Sequence, residues 1–328
     1  MVYQALLPGR YKGTEGCRIL SSHQPPLNSF FGMEPTTEKV LKSSDGVEIF
    51  TEASGDPSNP HVIFVHGMSF SGAVLDQFCQ REDILNSLYI VRMDMRGHGR
   101  SGKPLTSDGH LSSLYADDYK MVIEAYGLRK PIHVGWSLGG ALAPDICAYL
   151  GPDTVSGLFY LSSMASVKHL WEGSATPFIL EIFGRTTDPA LMPQAMTEFV
   201  DACFMSDRHK PVPYSTRCLW YGMGASQPHA CRVLNMQREQ DTESLWRAVR
   251  EGMPVCIVHG TGDVMIFPHA LQDQMRAAGA KNLEVVLIPG AGHALTWEEP
   301  DTVAETLIRF SKDVWRGDKA KATKQSNL

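Results

Sequence analysis

Short apolar runs alternate with longer amphipathic segments along most of the chain. Residues 47–51 alternate in polarity after the turn residues Ser44-Asp45-Gly46 and predict a hairpin strand. Further strands are predicted where β-branched and other apolar residues follow one another, at 61–65, 89–93, 131–134, 157–161, 255–258 and 283–288. Such runs are typical of parallel strands that are buried on both faces.

Helical periodicity lies between these strands and predicts helices over 111–126, 138–150, 268–279 and 301–315. Strands and helices that alternate in this way indicate βαβ units. We therefore expect an α/β fold with a mostly parallel, doubly wound sheet and helices on both of its faces.

The alternation is interrupted between Ser163 and Gly252 by a segment that is helical in pattern and rich in Met and aromatic residues. An insertion of this length between two strands predicts a helical cap, or lid, at 163–252 over the carboxyl end of the sheet. Ligands bind at that end in open α/β sheets. Most of the aromatic side chains, including Phe199 and Trp220, are expected to form the core of the lid, and together they predict an apolar pocket roof.

The two ends of the chain lie outside this pattern. Residues 1–35 show little periodicity and are interpreted as an N-terminal extension, and 316–328 are Lys-rich and are interpreted as a polar tail. The α/β core then comprises 36–162 and 253–315. A basic start followed by an apolar run is missing from the first residues, so we expect a cytoplasmic protein. The end Ser326-Asn327-Leu328 resembles the peroxisomal Ser-Lys-Leu address and gives a minor alternative.

Composition and charge argue against a disordered protein, a nucleic-acid-binding protein and a membrane-spanning protein. Of the 328 residues, 43% are hydrophobic and 20% are charged, as in ordinary globular proteins, so wholesale disorder is excluded. A net charge of −6 without a basic stripe argues against a nucleic-acid partner. The most apolar long stretch contains His133 and Asp145 and is a poor membrane span. The seven scattered cysteines are expected to be reduced thiols and fit no zinc pattern, and nothing indicates the oligomeric state.

The motif GWSLGG at 135–140 follows a predicted strand and begins a helical pattern, which is the context that a nucleophile elbow requires. A sharp turn there holds Ser137 in a strained conformation and exposes its hydroxyl. Side chains at Gly135 or Gly139 would collide with the neighbouring strand or helix. A chance GxSxG on a Gly-rich turn is the alternative if the motif is taken alone.

Two further loops provide the groups that a serine nucleophile needs. Asp263 ends the sequence HGTGD after one predicted strand, and His293 ends PGAGH after the next. Serine, aspartate and histidine in this order, each after a strand, are expected of a catalytic triad in such a sheet. His259 is the main rival for the base, but it precedes its Gly-rich turn and is expected to support the loop.

Acyl transfer also needs N–H donors that face the developing oxyanion. The residue after the nucleophile, Leu138, is expected to supply one backbone N–H. Met68 is expected to supply the other, because His66-Gly67 follows the strand 61–65 and Gly67 permits an unusual backbone conformation.

The sequence DMRGHGRS at 94–101 is interpreted as a tight structural turn in which Asp94 and Arg96 form local ion pairs. A phosphate-binding loop is the alternative, although the G-x-G here lacks the completion and the following helix of a dinucleotide motif.

These motifs together resemble the α/β-hydrolase fold family over residues 36–315, and within it the serine esterase and cofactor-free perhydrolase branch. The resemblance implies a triad of Ser137, Asp263 and His293, with Met68 and Leu138 as oxyanion donors. Because the nucleophile is serine, the epoxide hydrolase and dehalogenase activities of this fold are disfavoured. Pro144 departs from the pattern, since it lies inside the helix predicted after the elbow.

The expected function is hydrolysis of a carboxylic ester of an apolar or aromatic small molecule, with an acyl-enzyme intermediate and no metal or organic cofactor. The same triad would serve a lactone, thioester or C–C bond hydrolase or an acyltransferase. A small-molecule receptor with slow turnover is the alternative from another class.

Overall fold

The computed structural model describes residues 36–186, 188–205 and 211–326, so the predicted extension at 1–35 lies outside the described residues. In the described part of the chain, eight strands form one sheet. The strands are β1 (Thr37–Lys42), β2 (Glu48–Ser54), β3 (His61–Val65), β4 (Tyr89–Met93), β5 (Ile132–Trp136), β6 (Gly157–Leu161), β7 (Val255–Gly260) and β8 (Leu283–Ile288). Their order across the sheet is β1-β2-β4-β3-β5-β6-β7-β8.

The sheet is antiparallel at one edge and parallel elsewhere. β2 pairs antiparallel with β1 and β4, whereas β3 to β8 pair in parallel. The parallel registers bring the last residues of neighbouring strands together, as in Val65 opposite Gly135 and Trp136 opposite Leu161. The loops that follow these strands therefore meet at one edge, and all of the predicted site residues lie in those loops.

Helices cover the sheet and connect its strands. They are α1 (Asp76–Cys79), α2 (Glu82–Leu85), α3 (Ser112–Tyr126), α4 (Ala143–Tyr149), α5 (Val167–His169), α6 (Pro177–Thr186), α7 (Met192–Ala202), α8 (Tyr214–Ser226), α9 (His229–Asn235), α10 (Glu243–Glu251), α11 (Ala270–Ala277), α12 (Leu295–Glu298) and α13 (Pro300–Ser326). β3 to β7 are buried along their whole length, which explains their mostly apolar sequences. The doubly wound α/β fold expected from the sequence is confirmed.

Three local expectations differ from the structure. β1 was missed, because its residues TEKVLK are mostly exposed and carry no continuous apolar pattern. The helix expected at 138–150 is divided into a 3₁₀-helix, Ser137–Leu142, and α4, which places Pro144 in the first turn of α4. Proline is tolerated there because the N–H it lacks has no intrahelical acceptor. The helix expected to end at 315 continues as α13 to Ser326, and Asn327 and Leu328 lie outside the described residues.

The segment between β6 and β7 is helical, from α5 to α10. α10 packs against α4, beside the sheet, so one helix of the predicted lid segment contacts the flanking layer of the core. None of the helices in the described residues has the length and apolar character needed to cross a membrane. The six cysteines within the described ranges form no disulfide.

Candidate active site

Ser137 occupies a strained turn at the end of β5. Its φ is 53°, in the left-handed region that side chains other than glycine rarely adopt. The chain turns here because the strand ends at Trp136 and the 3₁₀-helix begins at once. A Cβ on Gly135 would lie 2.3 Å from the backbone of Gly140, and one on Gly139 would lie 2.2 Å from the carbonyl oxygen of Val65. The glycine spacing therefore follows from backbone contacts, as expected from the sequence.

Two buried side chains, one just after the neighbouring strand β6 and one within β5 itself, support this turn. Ser163, just after β6, donates its hydroxyl to the Ser137 carbonyl oxygen at 2.5 Å. His133 Nε2, within β5, lies 3.1 Å from the Gly139 carbonyl oxygen and donates to it. Burial lowers the pKa of His133 to about 4, so its ring is neutral near pH 7. The structure thus assigns His133 to support of the elbow, and Ser163 is a contact that the sequence did not reveal.

Asp263 and His293 meet as the sequence predicted. His293 Nδ1 donates to Asp263 Oδ2 at 2.7 Å, and both side chains are buried. The other carboxylate oxygen, Oδ1, accepts the backbone N–H groups of Met265 at 2.8 Å and Ile266 at 3.3 Å. These contacts fix the orientation of the carboxylate and the tautomer of the imidazole, which leaves His293 Nε2 as the nitrogen able to accept a proton.

His259 contacts the same carboxylate, which the sequence analysis did not foresee. Its Nε2 donates to Asp263 Oδ2 at 3.0 Å, and its Nδ1 is buried without a hydrogen-bond partner. Burial by itself would raise the pKa of Asp263, but His293 and His259 outweigh that effect and hold the pKa well below its usual range. Asp263 is therefore an anion across the neutral pH range.

The loop that carries His293 is tied to its surroundings by several hydrogen bonds. Trp136 Nε1, beside the nucleophile, donates to the His293 carbonyl oxygen at 2.9 Å. Ala294 N donates to the Cys203 carbonyl oxygen at 2.8 Å. Glu298 accepts N–H groups from Gly292, at 2.5 Å, and from Met205. The end of α7 and the histidine loop are thus joined directly.

The loop after β3 carries Met68, the residue whose backbone N–H the sequence analysis expects to act as an oxyanion donor. His66 Nε2 accepts the N–H of Met95 at 3.0 Å, so Nδ1 carries the proton and donates to the Gly67 carbonyl oxygen at 2.7 Å. A Cβ on Gly67 would lie 3.1 Å from the Cβ of Ser137, so this loop passes directly over the nucleophile. Met68 is nearly buried at this position.

Leu138 begins the 3₁₀-helix with Ser137, and the first N–H groups of a helix have no intrahelical acceptor. The backbone N–H of Leu138, directly after Ser137, therefore has no acceptor within the helix. The loops that carry Met68 and Leu138 thus meet at Ser137.

An aromatic wall extends from the site into the segment between β6 and β7. The Trp136 ring lies 5.6 Å from the His293 ring and 5.5 Å from Phe70, with which it stacks. Phe70 in turn contacts Phe199 at 5.6 Å and Trp220 at 5.0 Å. The residues of α7 and α8 therefore pack directly onto residues that flank the nucleophile.

The turn at 94–101 forms ion pairs, but only that of Asp94 with Arg100 is local as expected, because Arg96 pairs with residues outside the turn. Arg96 is fully buried and binds both carboxylate oxygens of Asp118 at 2.7 Å, and it also contacts Asp45. Asp94 pairs with Arg100 and accepts the N–H of Gly72 at 2.7 Å. These partners occupy the charged groups, which favours the structural interpretation over phosphate binding.

The arrangement contains a serine in an elbow, a carboxylate–imidazole pair, and backbone N–H donors in two adjacent loops. Such a set is suited to nucleophilic acyl transfer. Within the ranges that the structure describes, no group of three or more His, Cys, Asp or Glu side chains is arranged as a metal site.

Comparisons with known proteins agree with the fold. Residues 62–306 match the model of the family described as "Alpha/beta hydrolase family". The chain is 26% identical over 280 residues to the bifunctional esterase/perhydrolase DCH of Acinetobacter calcoaceticus, covering 82% of this chain and 98% of that protein. It is 27% identical over 281 residues to a non-heme chloroperoxidase of Streptomyces lividans, covering 83% and 99% of the two chains.

A solved structure, that of esterase RhEst1 from Rhodococcus sp. ECU1013, resembles this chain with a TM-score of 0.74. The two sequences are 21% identical, and the match covers 84% of this chain and 99% of that chain. At this level of identity the likeness shows a shared fold.

Proposed function

Because the chain belongs to the alpha/beta hydrolase family, we propose that it is a serine hydrolase that cleaves carboxylic esters of apolar or aromatic small molecules. The observation that carries the proposal is the 2.7 Å hydrogen bond between Asp263 and His293 beside a serine with a φ of 53°. Relatives named esterase, perhydrolase and chloroperoxidase are consistent with a hydrolase that acts on esters.

In the proposed reaction, Ser137 Oγ attacks the ester carbonyl carbon while His293 Nε2 accepts the hydroxyl proton. Asp263 remains ionised and stabilises the imidazolium that forms. His293 then donates the proton to the leaving alcohol as the bond between the carbonyl carbon and the alkoxide oxygen breaks. This leaves the acyl group on Ser137.

The tetrahedral intermediate carries a negative oxygen, which we assign to the backbone N–H groups of Met68 and Leu138. In the second half of the reaction His293 deprotonates a water molecule, which attacks the acyl-enzyme and releases the carboxylic acid. The steps assigned to these residues need no metal or organic cofactor.

We assign substrate choice to the lid at 163–252, whose helices α7 and α8 contribute the aromatic wall. The apolar character of that wall favours an apolar or aromatic acyl or alkyl group. A cytoplasmic location stays a prediction.

Perhydrolysis is a second candidate, favoured by the relatives that are named perhydrolase and chloroperoxidase. In that reaction hydrogen peroxide replaces water in the second half, and the product is a peroxycarboxylic acid. Ser137, His293 and Asp263 would keep the same roles. Peracid formation from acetate and hydrogen peroxide, measured beside ester hydrolysis, distinguishes the two.

The test is labelling with a fluorophosphonate, followed by a panel of esters, lactones and thioesters. Wild-type protein should be labelled and Ser137→Ala should not, and ester turnover should fall by at least ~10³-fold in that variant. Ser166→Ala is a matched control, because Ser166 is a second serine near a histidine, with its Oγ 2.7 Å from Nδ1 of the half-buried His169. Its labelling should persist.

Stoichiometric labelling of Ser137→Ala would overturn the assignment of the nucleophile. Failure of wild-type protein to react, together with a large thermal shift on ligand addition, would instead support a slow-turnover receptor.

A further inference from the structure

Arg232, in α9, is a buried cation that extends from the lid to the loop after β3, residues 66–69, which we call the oxyanion loop. Only 1% of the surface of Arg232 is exposed. Nε donates to the Ser69 hydroxyl oxygen at 3.2 Å, while the two terminal nitrogens donate to the carbonyl oxygens of Thr186 and Gly224, each at 2.9 Å. The guanidinium therefore joins α6, α8 and the loop after β3.

Arg232 differs from the other buried arginines in its partners. Arg92, Arg96 and Arg238 each lie beside a carboxylate. For Arg232 the described residues provide no carboxylate within ion-pair distance, and its three contacts are to neutral oxygens. Burial accordingly lowers its pKa from the ordinary value. Burial of a charge without a counter-ion is costly, so compensation here comes from these hydrogen bonds.

Ser69, the residue that Arg232 contacts, follows Met68 and has a φ of 65°. Residues other than glycine rarely adopt this left-handed region, so surrounding contacts must hold Ser69 in it. Ser69 Oγ donates to Gln227 Oε1 at 2.8 Å, and Gln227 Nε2 donates to the Gly97 carbonyl oxygen at 3.2 Å. The hydroxyl is thus held between an acceptor and a donor that both come from the lid.

We propose that Arg232 and Gln227 are positioning residues that fix Ser69 in its left-handed conformation and so aim the Met68 N–H at the carbonyl oxygen of the substrate. Because Met68 and Ser69 share a peptide linkage, a change of backbone conformation at Ser69 displaces the oxyanion loop at its tip. The lid therefore contributes to transition-state stabilisation as well as to substrate choice. The catalytic meaning of this inference rests on the proposed function.

The expected loss follows from the geometry of an oxyanion hole. Complete removal of one donor costs about 10²–10³-fold in kcat, and misplacement of a donor costs part of that. We expect Arg232→Met to lower kcat about 30-fold with less than about a threefold change in KM, because the donor acts on the transition state. Arg232→Lys should recover activity in part, because one ammonium group cannot span all three acceptors.

Asn235→Ala is the matched control on the same helix. Asn235 is buried and donates to the Tyr115 hydroxyl at 2.7 Å, without contact to the oxyanion loop. The control should lower the unfolding temperature and leave kcat within about threefold of wild type. Equal losses of kcat in Arg232→Met and Asn235→Ala would show a general effect on stability and overturn the proposal.

Amide hydrogen exchange at residues 67–70 gives a readout that does not depend on chemistry. Exchange there should accelerate in folded Arg232→Met and stay unchanged in Asn235→Ala. Unchanged exchange and unchanged kcat in Arg232→Met would overturn the proposal. If wild-type protein fails to react with the fluorophosphonate, the proposed function fails, and the exchange result still decides whether Arg232 positions the loop.

A second variant keeps the test decisive if Arg232→Met does not fold. Gln227→Leu removes the acceptor of the Ser69 hydroxyl. Because glutamine and leucine are both uncharged, the substitution leaves the net charge of the buried cluster unchanged. It should accelerate exchange at 67–70 and lower kcat about tenfold. Wild-type exchange and kcat in Gln227→Leu would contradict the inference.

Discussion

Replacement of Asp263 by asparagine should disable His293 without removing a single heavy-atom contact. Asp263 Oδ1 accepts two backbone N–H groups, from Met265 and Ile266, and Oδ2 accepts His293 Nδ1–H and His259 Nε2–H. An asparagine has one acceptor oxygen and one NH₂ group. Because the backbone N–H groups of Met265 and Ile266 can only donate, they bind the amide oxygen of the asparagine. The NH₂ group then points toward the two imidazoles.

An NH₂ group in that position requires His293 Nδ1 to become an acceptor. The proton of the neutral ring then moves to Nε2, which can no longer take the proton of Ser137. Loss of a correctly oriented base by this route costs about 10⁴-fold in kcat, or about 5 kcal/mol of transition-state stabilisation. We therefore expect Asp263→Asn to lower kcat about 10⁴-fold at neutral pH, with KM changed far less.

The assay is hydrolysis of p-nitrophenyl acetate, with circular dichroism and thermal unfolding to confirm the fold. Asp118→Asn is the control, because Asp118 is an equally buried carboxylate that binds Arg96 away from the nucleophile. That variant should lose stability and keep kcat within about tenfold of wild type. A folded Asp263→Asn that keeps kcat within about tenfold of wild type would refute the tautomer argument.

Three further outcomes are expected. His259→Ala should retain more activity than Asp263→Asn, because the 2.7 Å contact of Asp263 with His293, the proposed base, remains. An inactive, folded His259→Ala beside an active His293→Ala would show that the base is misassigned. The pKa of His133 is lowered from 6.5 to about 4, so the unfolded chain binds more protons in this interval and stability should fall as the pH falls through it. Urea unfolding of His133→Gln should show a weaker decline over the same interval, and an unchanged decline would exclude His133 as its source. The value of kcat/KM should rise about fourfold per added methylene along the series p-nitrophenyl acetate, butyrate, hexanoate and octanoate, and then fall when the pocket is full. A flat chain-length profile would contradict an apolar pocket.

The parallel part of the fold could be predicted because its signals are local and redundant. β3 to β7 are buried on both faces, so each strand is a mostly apolar run between polar turns, with an occasional buried His or Arg. β1 lacks this signal, since an edge strand that is largely exposed does not need an apolar face. The continuation of α13 differs from the expectation for a related reason: the sequence of its last residues carries no apolar periodicity, although Ala, Lys and Gln favour helix.

The predicted triad residues were recognisable because each follows a strand on a Gly-rich loop. The residues that support them have no such mark. Ser163, Glu298 and Arg232 act through contacts with segments distant in the chain, and the partner of a hydrogen bond cannot be read from one sequence. His259 illustrates what a single sequence can and cannot reveal. Its position before a Gly-rich turn indicates a supporting role, but only the structure shows that it binds the same carboxylate oxygen of Asp263 as His293.

The aromatic residues of the lid now divide into two groups that sequence periodicity could not separate. Trp220 contacts Trp136, whose indole N–H holds the His293 loop, so a change at Trp220 reaches both the pocket and the base. Phe199 stacks on Phe70, one ring further from the imidazole. A shortened Phe199 side chain should therefore alter acyl-chain preference with the pH–rate midpoint unchanged, whereas the same change at Trp220 should alter both. Since the wall to which we assign substrate choice also contacts the proposed base His293, we expect specificity and chemistry in this site to be coupled through Trp136.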